Sequence, residues 1–245
     1  MDPILEIKGL SKAFGGLKAL VDFALRVHQR ELIGIIGPNG AGKTTIFNLI
    51  TGFIRADSGE VWFKGEKITN LKPFQIVNRG MSRTFQLVDI FKEMTALENV
   101  MIPCYSHRAT NQRHRGRKPW KVAMEFLDEM GLGHRYDEPA KNLAFGELRL
   151  LDIARAMATE PDILLLDEPF SGLDVEDATV LSKAIQRMHE KGQTMIIIEH
   201  RLRDLLKLVE RVVAIVFGEK IAEGTPEEIL NDEKVVNAYF GERRE

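Results

Sequence analysis

The segment Gly37-Pro38-Asn39-Gly40-Ala41-Gly42-Lys43-Thr44-Thr45 limits what this chain can fold into more than any other stretch. It follows a continuous apolar run, Leu32-Ile33-Gly34-Ile35-Ile36, and leads into Ile46, Leu49 and Ile50 at helical spacing, with Gly52 as the stop. A buried strand, a tight turn and a helix are the context in which the pattern G-x-x-x-x-G-K-[ST] cradles phosphate. Glycines let successive backbone N–H groups converge on phosphate oxygens, and the helix start adds its positive dipole end. ATP is the expected ligand. Lys43 is expected to bridge its β- and γ-phosphates, and the Thr44 hydroxyl to ligate Mg²⁺. A glycine-rich turn that merely precedes a lysine would leave the flanking strand and helix unexplained.

The remaining pattern supports one α/β unit with an insertion. Ile4-Leu5-Glu6-Ile7 and Phe23-Ala24-Leu25-Arg26-Val27 alternate as antiparallel strands, and Glu60-Val61-Trp62-Phe63 adds a further strand before a turn at Lys64-Gly65-Glu66. Helical spacing dominates from about Leu87 to Glu160, in Val122 to Leu127 and in Leu148 to Met157. Strands return at Ile163 to Leu166, Met195 to Ile198 and Arg211 to Phe217, with a helix around Ala178 to His189. Such alternation builds a parallel sheet covered on both faces. The 245 residues therefore read as a single domain: a core of residues 1–86 and 161–245, with a helical subdomain of residues 87–160 inserted.

Bulk properties narrow the function. A formal net charge of -2 gives no overall attraction to nucleic acid or an anionic membrane. No uninterrupted apolar run reaches 18 residues and the N-terminus is no secretory signal, so a membrane role would come through a partner. The one cysteine, Cys104, excludes an internal disulfide, fits a reducing compartment and is expected to be an apolar filler. From His107 to Lys121 run Arg108, Arg113, Arg115, Arg117, Lys118 and Lys121 with no acid. That run reads as a solvated loop, or alternatively as a contact for headgroups, RNA or an acidic partner.

The strand Ile163 to Leu166 delivers Asp167, Glu168 and Pro169 at its C-terminal end, where ligands of open parallel sheets collect. Asp167 is expected beside Mg²⁺, and Glu168 is placed to polarise the attacking water. With Asn142-Leu143-Ala144-Phe145-Gly146-Glu147-Leu148-Arg149 before that strand and Ser171-Gly172-Leu173-Asp174 after it, the whole chain resembles the nucleotide-binding subunit of an ABC transporter. Within that family it is most similar to the ATPases of branched-chain amino acid importers, judged from Phe14-Gly15-Gly16-Leu17-Lys18-Ala19, Arg83-Thr84-Phe85-Gln86 and Ile198-Glu199-His200.

The resemblance implies a P-loop ABC-type ATPase fold: a parallel sheet flanked by helices, an N-terminal antiparallel β section and the helical insertion. It implies that Phe14 stacks on adenine, that Gln86 reaches Mg²⁺ and the attacking water, that His200 contacts the γ-phosphate, and that Asp174 communicates across a dimer. An ordinary core phenylalanine and a surface amide are the alternatives for Phe14 and Gln86. The other histidines carry no such context. Ala144 stands where the family has serine and Glu147 where it has glutamine. Alanine neither caps the helix nor donates to a phosphate, so a cap worth about 1 kcal/mol is lost, while Gly146 and the dipole remain. The resemblance further implies a second ATPase subunit, identical or paralogous, integral membrane permease subunits and, indirectly, an extracytoplasmic substrate-binding protein, with the chain peripheral at the cytoplasmic face of the cell membrane. Nucleic acid or ribosomes as the target, or an ATP-gated subunit with little turnover, are the competing readings.

Overall fold

A computed structural model describes residues 2–110 and 115–240. The chain opens with strands β1 (Leu5–Phe14) and β2 (Leu17–Val27), antiparallel and joined by a two-glycine turn with Gly15 at φ 57°. Leu5, Ile7 and Leu10 point inward while Lys8 points out. The sequence reading of β1 stopped at Ile7, but the strand runs on to Phe14 because register shifts around Leu10 absorb its polar stretch.

Strand β3 (Leu32–Ile36) is buried at every position and feeds helix α1 (Lys43–Ile50). Strands β4 (Ser58–Phe63) and β5 (Glu66–Lys67) complete a four-stranded antiparallel sheet in the order β2-β1-β4-β5. Helix α2 (Pro73–Arg79) starts with its proline and ends at Gly80, φ 108°, before the three-residue strand β6 (Met81–Arg83). Neither α2 nor β6 stands out in the sequence, being short and of mixed polarity.

Helices α3 (Ala96–Cys104), α4 (Pro119–Glu129) and α5 (Phe145–Met157) follow before the chain re-enters the sheet. Helix α3 is capped reciprocally: Glu98 N donates to Thr95 Oγ1 at 3.1 Å, and Thr95 N to Glu98 Oε2 at 2.8 Å. Then come β7 (Ile163–Asp167), α6 (Val175–Glu190), β8 (Thr194–Glu199), α7 (Leu202–Leu205), β9 (Arg211–Val216), β10 (Glu219–Gly224), α8 (Pro226–Asn231) and α9 (Glu233–Phe240).

The larger sheet has the order β10-β9-β3-β8-β7-β6, parallel except for the antiparallel pair β9–β10. Side-chain alternation along its strands divides the interior into two cores. Ile33, Ile35, Ile163, Leu165, Ile196 and Ile198 pack with α1 and the antiparallel sheet. Leu32, Ile36, Leu164, Leu166, Met195 and Ile197 pack with α3 to α6. Continuous apolar runs are thus required by a sheet covered on both sides. Among the described residues no helix is long and apolar enough to cross a membrane.

Candidate nucleotide site

The carboxyl ends of β3, β6, β7 and β8 lie on the same side of the parallel sheet. The turn after β3 is the Gly37–Thr45 loop, and its glycines are demanded by space as well as by φ. A Cβ on Gly37 would come within 2.3 Å of the Ile215 carbonyl oxygen, and one on Gly42, φ 103°, within 2.5 Å of that of Ala19. Asn39, Gly40, Ala41, Gly42, Lys43, Thr44 and Thr45 line a cleft of about 510 Å³ together with Phe14, Gln86, Glu168 and Phe217. Pro38 sits in the same loop, and Lys43 reaches across it to donate to the carbonyls of Gly37 at 2.6 Å and Pro38 at 3.0 Å. Burial lowers the Lys43 pKa, opposed by the carboxylates of Glu168, Glu199 and Asp167.

Phe14 is 49 % exposed at the cleft wall, with the Lys12 ammonium 5.5 Å from its ring centre, and is therefore not a core residue. Gln86 Nε2 donates to Glu168 Oε2 at 2.9 Å, and His200 Nδ1 lies 3.4 Å from the same oxygen. Glu168 itself is buried and held at φ 47°, a conformation costly for a side chain with a Cβ; its N–H donates to the Ile198 carbonyl at 2.9 Å.

Asp167 is 1 % exposed. Its Oδ2 accepts from Arg83 Nη2 at 2.8 Å, whereas its Oδ1 is buried with no hydrogen-bond partner. Burial raises the Asp167 pKa and Arg83 pulls it back. A buried orphan carboxylate oxygen beside a phosphate loop fits a divalent cation shared with phosphate. No group of three or more His, Cys, Asp or Glu among the described residues could hold a metal by itself. Mg²⁺ held by one carboxylate, a hydroxyl and the nucleotide needs no such group.

The remaining predicted residues lie away from this cleft. Ala144 is the N-cap of α5, and its side chain accepts nothing, but Glu147 Oε2 accepts the Ala144 N–H at 2.9 Å. Half of a capping box therefore survives the alanine. Glu147 is also paired with Arg135 at 3.2 Å. Gly146 packs against α6: a Cβ there would come within 2.4 Å of the Asp177 carboxyl carbon. Asp174 caps α6, its Oδ1 accepting from Asp177 N at 2.8 Å.

Arg83 is a residue whose role the sequence did not disclose. Besides Asp167 it reaches Asn48 Oδ1 at 2.8 Å and Thr51 Oγ1 at 3.1 Å, under the rings of Phe47, Phe53 and Phe85. A basic residue three positions before Gln86 was the available signal. Phe217, placed by the sequence at the end of a strand, instead begins a turn at φ 48° and is 86 % exposed at the cleft.

Two cations of the basic run, Arg108 and Arg117, pair with the chain's own acids. Arg108 is buried, donating to the Glu160 carbonyl at 2.9 Å and pairing with Asp162 at 3.1 Å, so it is no part of a solvated loop. Arg117 chelates Glu125. Arg113 and His114 lie outside the described residues. Cys104 is buried, and burial pushes its thiol up to about 11, as an inert filler requires.

Comparison with known proteins identifies this arrangement. The family described as ABC transporter matches residues 20–171, and that described as branched-chain amino acid ATP-binding cassette transporter matches residues 219–245. The high-affinity branched-chain amino acid transport ATP-binding protein BraF of Pseudomonas aeruginosa is 39% identical over 98% of each chain. An ATP-binding cassette of an ABC transporter, solved in its ADP conformation, superposes with a TM-score of 0.88 at 35% identity, over 99% of this chain and 100% of that one. A cassette solved as a dimer in a post-hydrolysis state with ADP and Pi gives 0.79 at 26% identity, over 91% of this chain and 98% of that one. The chain belongs to the ABC transporter family as one of its ATP-binding, ATP-hydrolysing subunits, homologous to those of branched-chain amino acid transport.

Proposed function

We propose that this subunit drives branched-chain amino acid uptake through a separate membrane permease, working as one of a pair at the cytoplasmic face. The observation that carries the hydrolytic part is the convergence of Gln86 and His200 on one oxygen of Glu168 at the mouth of the phosphate-loop cleft. In this reading the Gly37–Thr45 loop holds the triphosphate, Lys43 bridges its β- and γ-phosphates and Phe14 stacks on the adenine. Glu168 orients and polarises the attacking water, and His200 contacts the γ-phosphate. Thr44, Asp167 and Gln86 would hold Mg²⁺, which would supply charge neutralisation at the phosphates.

Ala144, Gly146 and Asp174 lie away from their own chain's cleft, which supports a composite site in which each cleft is closed by the α5 start of the second subunit. The solved dimeric relative lends this weight. Binding closes the pair and hydrolysis opens it. In this reading the permease docks at the cleft of about 390 Å³ between Phe53, Phe74, Phe85 and Ile102, whose wall includes Arg83, the residue that holds Asp167. An extracytoplasmic binding protein delivers the amino acid to the permease.

Co-purification with a polytopic membrane protein, followed by ATP-driven accumulation of labelled leucine in proteoliposomes, tests the reading. Accumulation is expected to vanish with Lys43→Ala. Accumulation undiminished by that substitution, or salt-sensitive RNA binding in place of a membrane partner, would overturn it.

A further inference from the structure

Glu199 is a fully buried carboxylate that the proposed chemistry leaves without a task. Its two oxygens serve two different segments. Oε1 accepts the N–H of Phe170 at 2.9 Å, in the turn that leads from Glu168 to Asp174. Oε2 accepts the N–H groups of His200 at 2.8 Å and Arg201 at 3.0 Å, at the end of β8. Arg201 returns the connection, its Nη1 donating to the carbonyls of Phe170 at 2.8 Å and Leu173 at 2.9 Å. Three of these hydrogen bonds join residues 170–173 to residues 199–201 and two more fix Glu199 to its own strand end; each involves the Glu199 carboxylate or the Arg201 guanidinium and is therefore stronger than a neutral one. A glutamine of the same shape could accept on one side only, because its NH₂ would face backbone donors on the other.

We propose that Glu199 is a positioning residue for ATP hydrolysis: with Arg201 it locks the turn that ends at Asp174 to the strand end that carries His200, fixing His200 beside Glu168. The inference rests on the reading of His200 as part of the hydrolytic cluster. Oε2 of Glu199 also lies 3.6 Å from His200 Nδ1, so motion of Asp174, wherever a second subunit pushes on it, is passed to the imidazole through the Glu199 carboxylate as well as through backbone.

The experiment measures phosphate release and AMP-PNP affinity of the full chain for Glu199→Gln, His200→Ala and the double variant. Glu199→Gln is expected to lower kcat about tenfold with KM and AMP-PNP affinity unchanged, and to add nothing in the His200→Ala background. The side-chain resonance of His200, assigned by its loss in His200→Ala, is expected to move in Glu199→Gln. An equal proportional loss in both backgrounds, an unmoved resonance, or a fall in affinity would overturn the positioning role. Full activity of His200→Ala would instead overturn the reading of His200 beneath it. Should Glu199→Gln fail to fold, Arg201→Lys carries the test. It keeps the charge, gives up the two-carbonyl fork and is expected to show the same kcat loss at constant affinity; wild-type kcat would overturn the proposal.

Discussion

Oδ2 of Asp167 lies 2.8 Å from the Arg83 guanidinium, and the two side chains are 1% and 5% exposed. The pair leaves the other Asp167 oxygen free and buried, so Arg83 holds the carboxylate by one oxygen and presents the other. Removing one partner of such a pair strands a buried charge. Arg83→Ala is expected to cost about 3–5 kcal/mol in urea unfolding. Arg83→Lys is expected to recover only part of this, since a lysine cannot also reach Asn48 and Thr51. A loss below about 1 kcal/mol for Arg83→Ala would show that the pair is not what holds Asp167.

Oε2 of Glu168 accepts from Gln86 and lies 3.4 Å from His200 Nδ1. Glu168→Gln keeps the size and removes the charge proposed above to polarise water. Nucleotide affinity is expected to stay near wild type while phosphate release falls about 10²–10⁴-fold. On size-exclusion chromatography with ATP, the variant is expected to run as a trapped dimer. Turnover within a factor of two of wild type would exclude Glu168 as the base.

Ala144 has the extended backbone of an N-cap, φ -65° and ψ 160°, and Glu147 already accepts its N–H. A serine there completes the box by accepting the Glu147 N–H. Ala144→Ser is expected to stabilise the fold by about 0.5–1 kcal/mol and to leave ATPase activity unchanged or raised. A large loss of activity would contradict the placement of this segment against nucleotide.

Asp152, on α5 beside Arg155 and Arg149, is pushed up to about 6 by burial, the arginines opposing. A carboxyl whose folded pKa is raised contributes stability that is complete below its unfolded pKa and is lost as pH rises through the folded value. Between pH 5 and 7.5 the wild type is therefore expected to lose about 1.4 kcal/mol relative to Asp152→Asn, read from paired urea titrations. A pH-independent difference would mean that Asp152 ionises normally.

The phosphate loop and the Asp167-Glu168 pair were legible because their chemistry needs fixed residue types at the end of strands that are apolar throughout. The same apolar runs gave the parallel sheet, since a strand covered on both faces can carry no polar alternation. What escaped were elements defined by tertiary contact. Strand β6 is three residues held by pairing with β7, and α8 is a six-residue helix that begins with a reciprocal cap between Thr225 and Glu228. At the site, Arg83 and Glu199 stand inside local motifs that carry no sign of what they do. Their roles are set by partners 84 and 29 positions away, which no local pattern reveals. Arg108 shows the reverse error, a charge counted with a basic loop that folding buries against Asp162.

The edges of the six-stranded sheet carry a consequence for the life of the free polypeptide. One edge is the three residues of β6, and the other is β10, which begins with exposed Glu219 and Lys220 and is tied to the neighbouring sheet where Lys220 Nζ donates to the Ala24 carbonyl at 3.0 Å. Neither offers a copy of the chain a long, flat row of free N–H and C=O groups to extend. Blunt, charged edges let a subunit that has yet to meet a partner stay free without templating fibres of itself.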